Sequence, residues 1–300
     1  MSENTASIAI RDDVFSAVRA CVAESLMIEP SQVALGSRLI DDLLRAATDG
    51  HLTRMEDVMF KDSLGNALTG VFYDMRATYM LSQGQPEAAL MALRQVPEVE
   101  RNTALRFMPF KERINDCVHC PMSDSVLVDR RALVERLIQL EFDAKAALDQ
   151  GAEDYYRLGL AWYNMTYFGP AWKAMDNFRS GSSWNFLSKQ KNGTFPTEGA
   201  PHGNHENLSC ETALGYFRQA INLSHDPELS ARAAFMAAKC QLNAWYCLPT
   251  CDYRPGSRNA PNVPAEYRQY FDFLKQNFSK TAFYKQAVSE CKWFRAYVGR

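Results

Sequence analysis

Wherever this 300-residue chain shows a hydrophobic period, the period is helical, and no segment sustains the alternation of Val, Ile and Thr that a half-buried sheet requires. That feature confines the chain to an all-α fold. In 12–27 the residues Val14, Phe15, Val18, Val22 and Leu26 recur at spacings of three and four behind the N-cap candidates Asp12 and Asp13, and Pro30 with Ser31 closes the helix. Further helices are expected over 39–47, 64–81, 86–95, 131–148, 154–167, 170–178, 211–223, 228–246, 266–277 and 282–297. Pro86 sits in a first turn, where its missing N–H has no partner to lose. Three stretches rich in Pro, Gly, Asn and Ser, near 97–129, 180–208 and 248–264, read as irregular inserts.

Length allows two domains or one extended array of repeats. With 47% hydrophobic and 23% charged residues, the chain has enough apolar material for a core and too little charge bias for disorder. Thirty-three basic residues stand against 35 acidic ones, net charge -2, and no Lys/Arg run exceeds two residues, so a surface that tracks nucleic-acid phosphates is excluded. No window approaches the 18 or so uncharged apolar residues of a spanning helix, and the opening residues lack a basic segment followed by an apolar one. The expectation is a protein with no membrane span, cytoplasmic by default. The eight cysteines read mostly as reduced, with Cys21, Cys210, Cys240 and Cys291 as small core residues.

Helical hairpins stack when each helix carries a small residue where a neighbouring backbone comes close and a large one where a gap must be filled. Tyr73-x-x-Arg76-Ala77-x-x-Met80-x-x-x-Gly84-x-x-x-x-Ala89 has that spacing, as do Tyr155-x-x-Leu158-Gly159-x-x-Trp162 and Ala213-x-x-Tyr216-Phe217-x-x-Ala220, the last followed by Asp226-Pro227 and Ala233-Ala234. These segments resemble tetratricopeptide repeats. Residues 97–247 also resemble a group of tetratricopeptide-type proteins of Bacteroidota, through Met108-Pro109-Phe110, the run from Tyr155 to Gly169 with Trp172, and the run from Ala231 to Cys240. The resemblance implies an interaction role with no assigned chemistry. Many such proteins are envelope-associated, but their usual export signal is missing here, so the location stays open.

The amino-terminal residues carry a different likeness. Val14, Val18 and Val22 through Leu26, then Pro30-Ser31-x-Val33 and Leu39-Ile40-Asp41-Asp42-Leu43, resemble the first helix and loop of an acyl carrier protein. That family places a phosphopantetheine-bearing serine almost directly after such an Asp-Asp-Leu run. Here the position reads Leu44-Arg45-Ala46-Ala47, and the nearest Asp-Ser-Leu is Asp62-Ser63-Leu64, beyond a large insertion. The chain therefore divides into a carrier-like segment, 1–50, and a helical-repeat domain, 51–300. Under the carrier reading Ser63 would bear the arm.

Cys117 and Cys120 lie in one irregular stretch and Cys247 and Cys251 in or beside another, so the two pairs have the spacing of a four-thiolate zinc site, of a disulfide, or of incidental loop cysteines. Tyr163, Tyr167 and Trp172 are the candidates to line a peptide groove, with inter-repeat core as the competing place for aromatics at helical spacing. The sequence contains no Gly-rich phosphate loop, nucleophile elbow or His-Glu-x-x-His helix, so the expected function is non-catalytic: a scaffold for a protein or peptide partner. The alternative is an acyl-carrier-type protein with a helical extension.

Overall fold

The computed structural model describes residues 37–51, 69–98, 109–116, 129–176, 207–248, 251 and 262–299. Among them the regular structure is helix, with no strand. The ten α-helices are α1 (Ser37–Asp49), α2 (Thr69–Ser82), α3 (Pro86–Leu93), α4 (Arg130–Ala146), α5 (Ala152–Met165), α6 (Glu211–Leu223), α7 (Pro227–Tyr246), α8 (Gln269–Asn277), α9 (Ala282–Glu290) and α10 (Lys292–Val298). No helix among the described residues is long and apolar enough to cross a membrane. The expected helix over 12–27 lies outside these residues, as do most of the 180–208 and 248–264 inserts.

Packing follows chain order. From α1 to α8 each helix lies against the next, α9 against α10, and the longest helix, α7, also touches α5 and α9. Local chemistry sets the turns. Gly84 takes φ +71°, which lets its own N–H and that of Gln85 return to the carbonyls of Leu81 and Met80 at 2.9 Å and folds α3 back on α2. Asp129 caps α4 by accepting the Ala132 N–H at 2.8 Å. Asp226 accepts the Glu228 N–H at 2.9 Å and, with Pro227 in the first turn, starts α7.

α7 explains why one helix can serve so many neighbours. Ala231, Ala233, Ala234, Ala237 and Ala238 are fully buried, and their small side chains allow neighbouring helices to approach closely. Among its large side chains Phe235 meets Phe271, Phe283 and Phe294 edge-on, with centroids 5.6–6.1 Å apart, and so seats the three C-terminal helices on α7. Glu228 adds a polar clamp, accepting the N–H groups of Ala282 and Phe283 at the start of α9 at 2.6 and 2.9 Å. Between α5 and α6 a Cβ on Gly159 would come within 2.5 Å of the buried Phe217 ring, so only glycine permits this approach.

Two expected helices differ. The segment after Pro170 forms only a 3-10 turn, Trp172–Ala174, with Ala171 N–H turned back to the Asn164 carbonyl at 2.8 Å. The last expected helix breaks at Cys291, whose extended backbone ends α9 and whose sulfur accepts the Phe294 N–H that starts α10. At the other end α1 rests on α2, and Arg76 pairs with Asp41 at 2.9 Å across that contact. Leu44–Ala47, where the carrier pattern puts its serine, lies inside α1.

Candidate functional site

Residues 109–116, Pro-Phe-Lys-Glu-Arg-Ile-Asn-Asp, form a non-helical strap across the seam between α5 and α7. The two helices run in the same direction there, because each carboxylate of the strap is shared by one residue from each. Glu112 accepts from the Tyr156 hydroxyl on α5 and from Arg232 Nε on α7 at 2.6 Å. Asp116 accepts from the Tyr163 hydroxyl at 2.7 Å and pairs with Lys239 Nζ at 2.6 Å. Tyr156 to Tyr163 and Arg232 to Lys239 are both seven-residue steps, about 10.5 Å along a helix axis, which four residues of near-extended strap can span. The register of two helices thus matches the spacing of two carboxylates.

Backbone contacts complete the cradle. The Asn164 side-chain amide donates to the carbonyls of Pro109 and Lys111 at 2.7 and 2.9 Å, and Lys239 Nζ donates to the Arg113 carbonyl at 2.9 Å. Asn243 donates to the Tyr163 hydroxyl at 2.9 Å, leaving the phenol proton for Asp116. Each cation also lies over a tyrosine face, Arg232 over Tyr156 and Lys239 over Tyr163, both 4.8 Å from the ring centroid. Ile114 enters the core between the two carboxylates, and Asn115 reaches the Glu290 carbonyl at the end of α9 at 3.1 Å.

The electrostatics hold the phenols as donors. Burial, reinforced by the adjacent Glu112 carboxylate, raises Tyr156 well above an ordinary phenol, and burial with Asp116 does the same for Tyr163. Beside Tyr163, burial and the neighbouring Cys210 thiol push the Cys240 thiol well up. The chemistry offered along the seam is recognition of two carboxylates and several backbone carbonyls of a non-helical segment, and the segment seated there is the chain's own.

The three aromatic residues expected to line a groove lie in different surroundings. Tyr163 is 1% exposed and sealed under the strap. Tyr167 is 6% exposed, its N–H bonded to the Asn207 carbonyl and its ring edge-on to Phe168 at 5.5 Å. Trp172 is half-buried in the 3-10 turn under the Lys173 ammonium. The three do not form one open surface, because aromatic residues at helical spacing gained more by packing inward. Cys210 and Cys240 are buried as expected, and Cys291 is half-buried at the α9–α10 break.

Of the expected zinc ligands, Cys117 and Cys120 lie outside the described residues, as does Ser63. Cys247 is half-buried at the end of α7, and Cys251 is buried in a separate apolar cluster with Trp245 and Tyr246. No group of three or more His, Cys, Asp and Glu residues suited to a metal occurs among the described residues. A separate cleft of 270 Å³ beside the ends of α2 and α5 is lined by Ser82, Gln83, Trp162, Thr166, Asn207 and Thr212 and has no charged side chain in its lining.

Sequence reasoning missed Glu112, Asp116, Arg232, Lys239 and Asn243. The available signal was the matched seven-residue steps of tyrosine and of cation on helices two apart in the chain, with Lys239 set in an alanine run where a charge needs a partner. Comparison of the chain with family models, curated proteins and solved structures finds no match.

Proposed function

We propose that this chain is a non-catalytic protein–protein interaction scaffold built on an interrupted, tetratricopeptide-like α-solenoid. The observation that carries the reading is the order of packing: hairpins α2–α3, α4–α5 and α6–α7 lie each against the next in chain order. Stacking of consecutive hairpins is the signature of a repeat array, whose successive helices present a continuous surface to a partner. The small residues of the repeat spacing support it, since Ala77, Ala89, Ala213 and Ala220 are fully buried and Gly159 receives the Phe217 ring. The partner is a protein or peptide.

The test is a quantitative pull-down from the native cell with the intact chain and with residues 1–60 deleted. The scaffold reading expects the same partners with both. Loss of every partner on deletion would move the interaction to the amino-terminal segment and overturn it. Coexpression with a phosphopantetheinyl transferase addresses the carrier alternative, with unchanged intact mass expected; quantitative addition of the arm at Ser63 would replace the scaffold reading.

A further inference from the structure

We infer that the 270 Å³ cleft beside the α2–α3 turn and the start of α6 is a binding site for a small organic monocarboxylate, held by Trp162 and Thr212. Trp162, on α5, is only 6% exposed, and its indole N–H has no hydrogen-bond partner among the described residues. A buried indole donor ordinarily finds an acceptor, because a polar group taken out of water and left unpaired is costly. Here the residue lines the cleft, so the acceptor comes from whatever the cleft holds.

A second part of the lining is the first turn of α6, which the chain leaves partly uncapped. Its N-cap residue, Cys210, makes no side-chain cap. Ser209 Oγ accepts the Glu211 N–H at 3.3 Å, which leaves the Ser209 hydroxyl proton to donate. The Leu214 N–H returns to the Cys210 carbonyl at 2.9 Å and opens the intrahelical ladder. The Thr212 N–H and hydroxyl, on an exposed residue that lines the cleft, have no partner among the described residues. A helix of 13 residues also brings partial positive charge to this end, where free N–H groups favour an anion.

The lining selects the class of anion. Among the described residues it contains amides and hydroxyls and no charged side chain. A phosphate, carrying about −1.5 to −2 at neutral pH, would leave its second charge uncompensated, and Glu211, exposed in the same turn, would repel it further. A carboxylate sets a single charge against the helix end and offers two oxygens to the indole, the Thr212 N–H and the hydroxyls. Met175 and Ala213 add apolar lining for a short alkyl chain. The volume lies just below the range of about 300–1,000 Å³ usual for drug-sized ligands, so the ligand has few heavy atoms. This site does not depend on the scaffold reading.

The experiment follows 15N TROSY spectra of the full-length chain. Five tryptophans give five indole signals, and the one absent from Trp162→Phe belongs to Trp162. The Thr212 amide is found in the same way from Thr212→Pro, a change that a first helical turn tolerates because the N–H it removes has no intrahelical partner. At constant ionic strength, sodium propionate should shift both signals saturably, with a dissociation constant on the order of millimolar for so small a ligand. Propionamide, which keeps the shape without the charge, and inorganic phosphate should each bind at least about tenfold more weakly, the order for losing a hydrogen bond to a charged group. Each variant, read at the other residue's signal, should weaken propionate by about the same factor. The titrations of the native chain decide the matter even where a variant fails to fold. The inference is overturned if neither signal moves saturably, or if sodium chloride moves both as propionate does. Equal binding of propionamide overturns the anion, tighter binding of phosphate overturns the carboxylate, and unchanged propionate affinity in either folded variant overturns the site.

Discussion

Lys239 stands in the middle of an alanine-rich helix with its side chain 8% exposed, held by Asp116 and the Arg113 carbonyl. Asp116→Asn leaves that ammonium with a neutral partner and should lower stability by about 1–2 kcal/mol in urea titrations, the order of a weakened charge-assisted hydrogen bond. Lys239→Met, which removes the charge and keeps the stem, should cost less when paired with Asp116→Asn than the two single changes predict, the mark of a coupled pair in a double-mutant cycle. Tyr156 and Tyr163 give a pH signature. Unfolded phenols release their protons near pH 10, whereas burial and the strap carboxylates keep these two protonated, so above about pH 10 the unfolded state binds fewer protons and stability falls. The slope is about 1.4 kcal/mol per pH unit for each phenol. Urea midpoints between pH 8 and 11 should show the decline, and Tyr163→Phe should flatten it. Gly159→Ala forces a methyl against the immobile Phe217 ring and should destabilise by about 1–3 kcal/mol; an unchanged melting temperature would contradict this close approach.

Caps and knobs decide which helices form a unit. Glu228 accepts the first two N–H groups of α9 from the first turn of α7, so Glu228→Ala should uncouple the starts of the two helices at about 1–2 kcal/mol. Asp226→Ala removes the side-chain acceptor at the α7 N-terminus and should cost about 1 kcal/mol. Phe235→Ala takes away the ring on which Phe271, Phe283 and Phe294 converge, a loss of about 3–5 kcal/mol. In that variant α8, α9 and α10 should gain hydrogen-exchange rate before α5 and α6 do. Most helices were legible in the sequence to within two or three residues at their ends, since Gly84, Pro86, Asp129 and Asp226 mark turns by local chemistry alone. The failures were non-local. The helix expected after Pro170 is replaced by a turn that places Arg130, from α4, in hydrogen-bond contact with the Lys173 carbonyl at 2.8 Å. The break at Cys291 lets Phe294 and Tyr297 fold back onto Phe271.

In the whole molecule, nearest-neighbour packing predicts graded stability rather than one uniform core. α1 meets its neighbour through α2 and an ion pair whose side chains are both about one-third exposed, so its amides should exchange first. α5, α6 and α7, packed on each other and crossed by the strap, should exchange last; equal protection of α1 and α7 by mass spectrometry would contradict this order. By itself the sequence determined the helical class, the turn positions and the small-residue contacts of successive hairpins, because periodicity, capping and glycine chemistry act within one or two turns of chain. What it could not determine was the role of 109–116, which reads in isolation as irregular connection. Its partners on α5 and α7 lie 44 to 126 residues away, on two helices whose matching register exists only once α6 has set them side by side. Charges scattered in sequence became paired because two parallel helices presented donors at the spacing of two carboxylates, and a distance of that kind belongs to the tertiary structure alone.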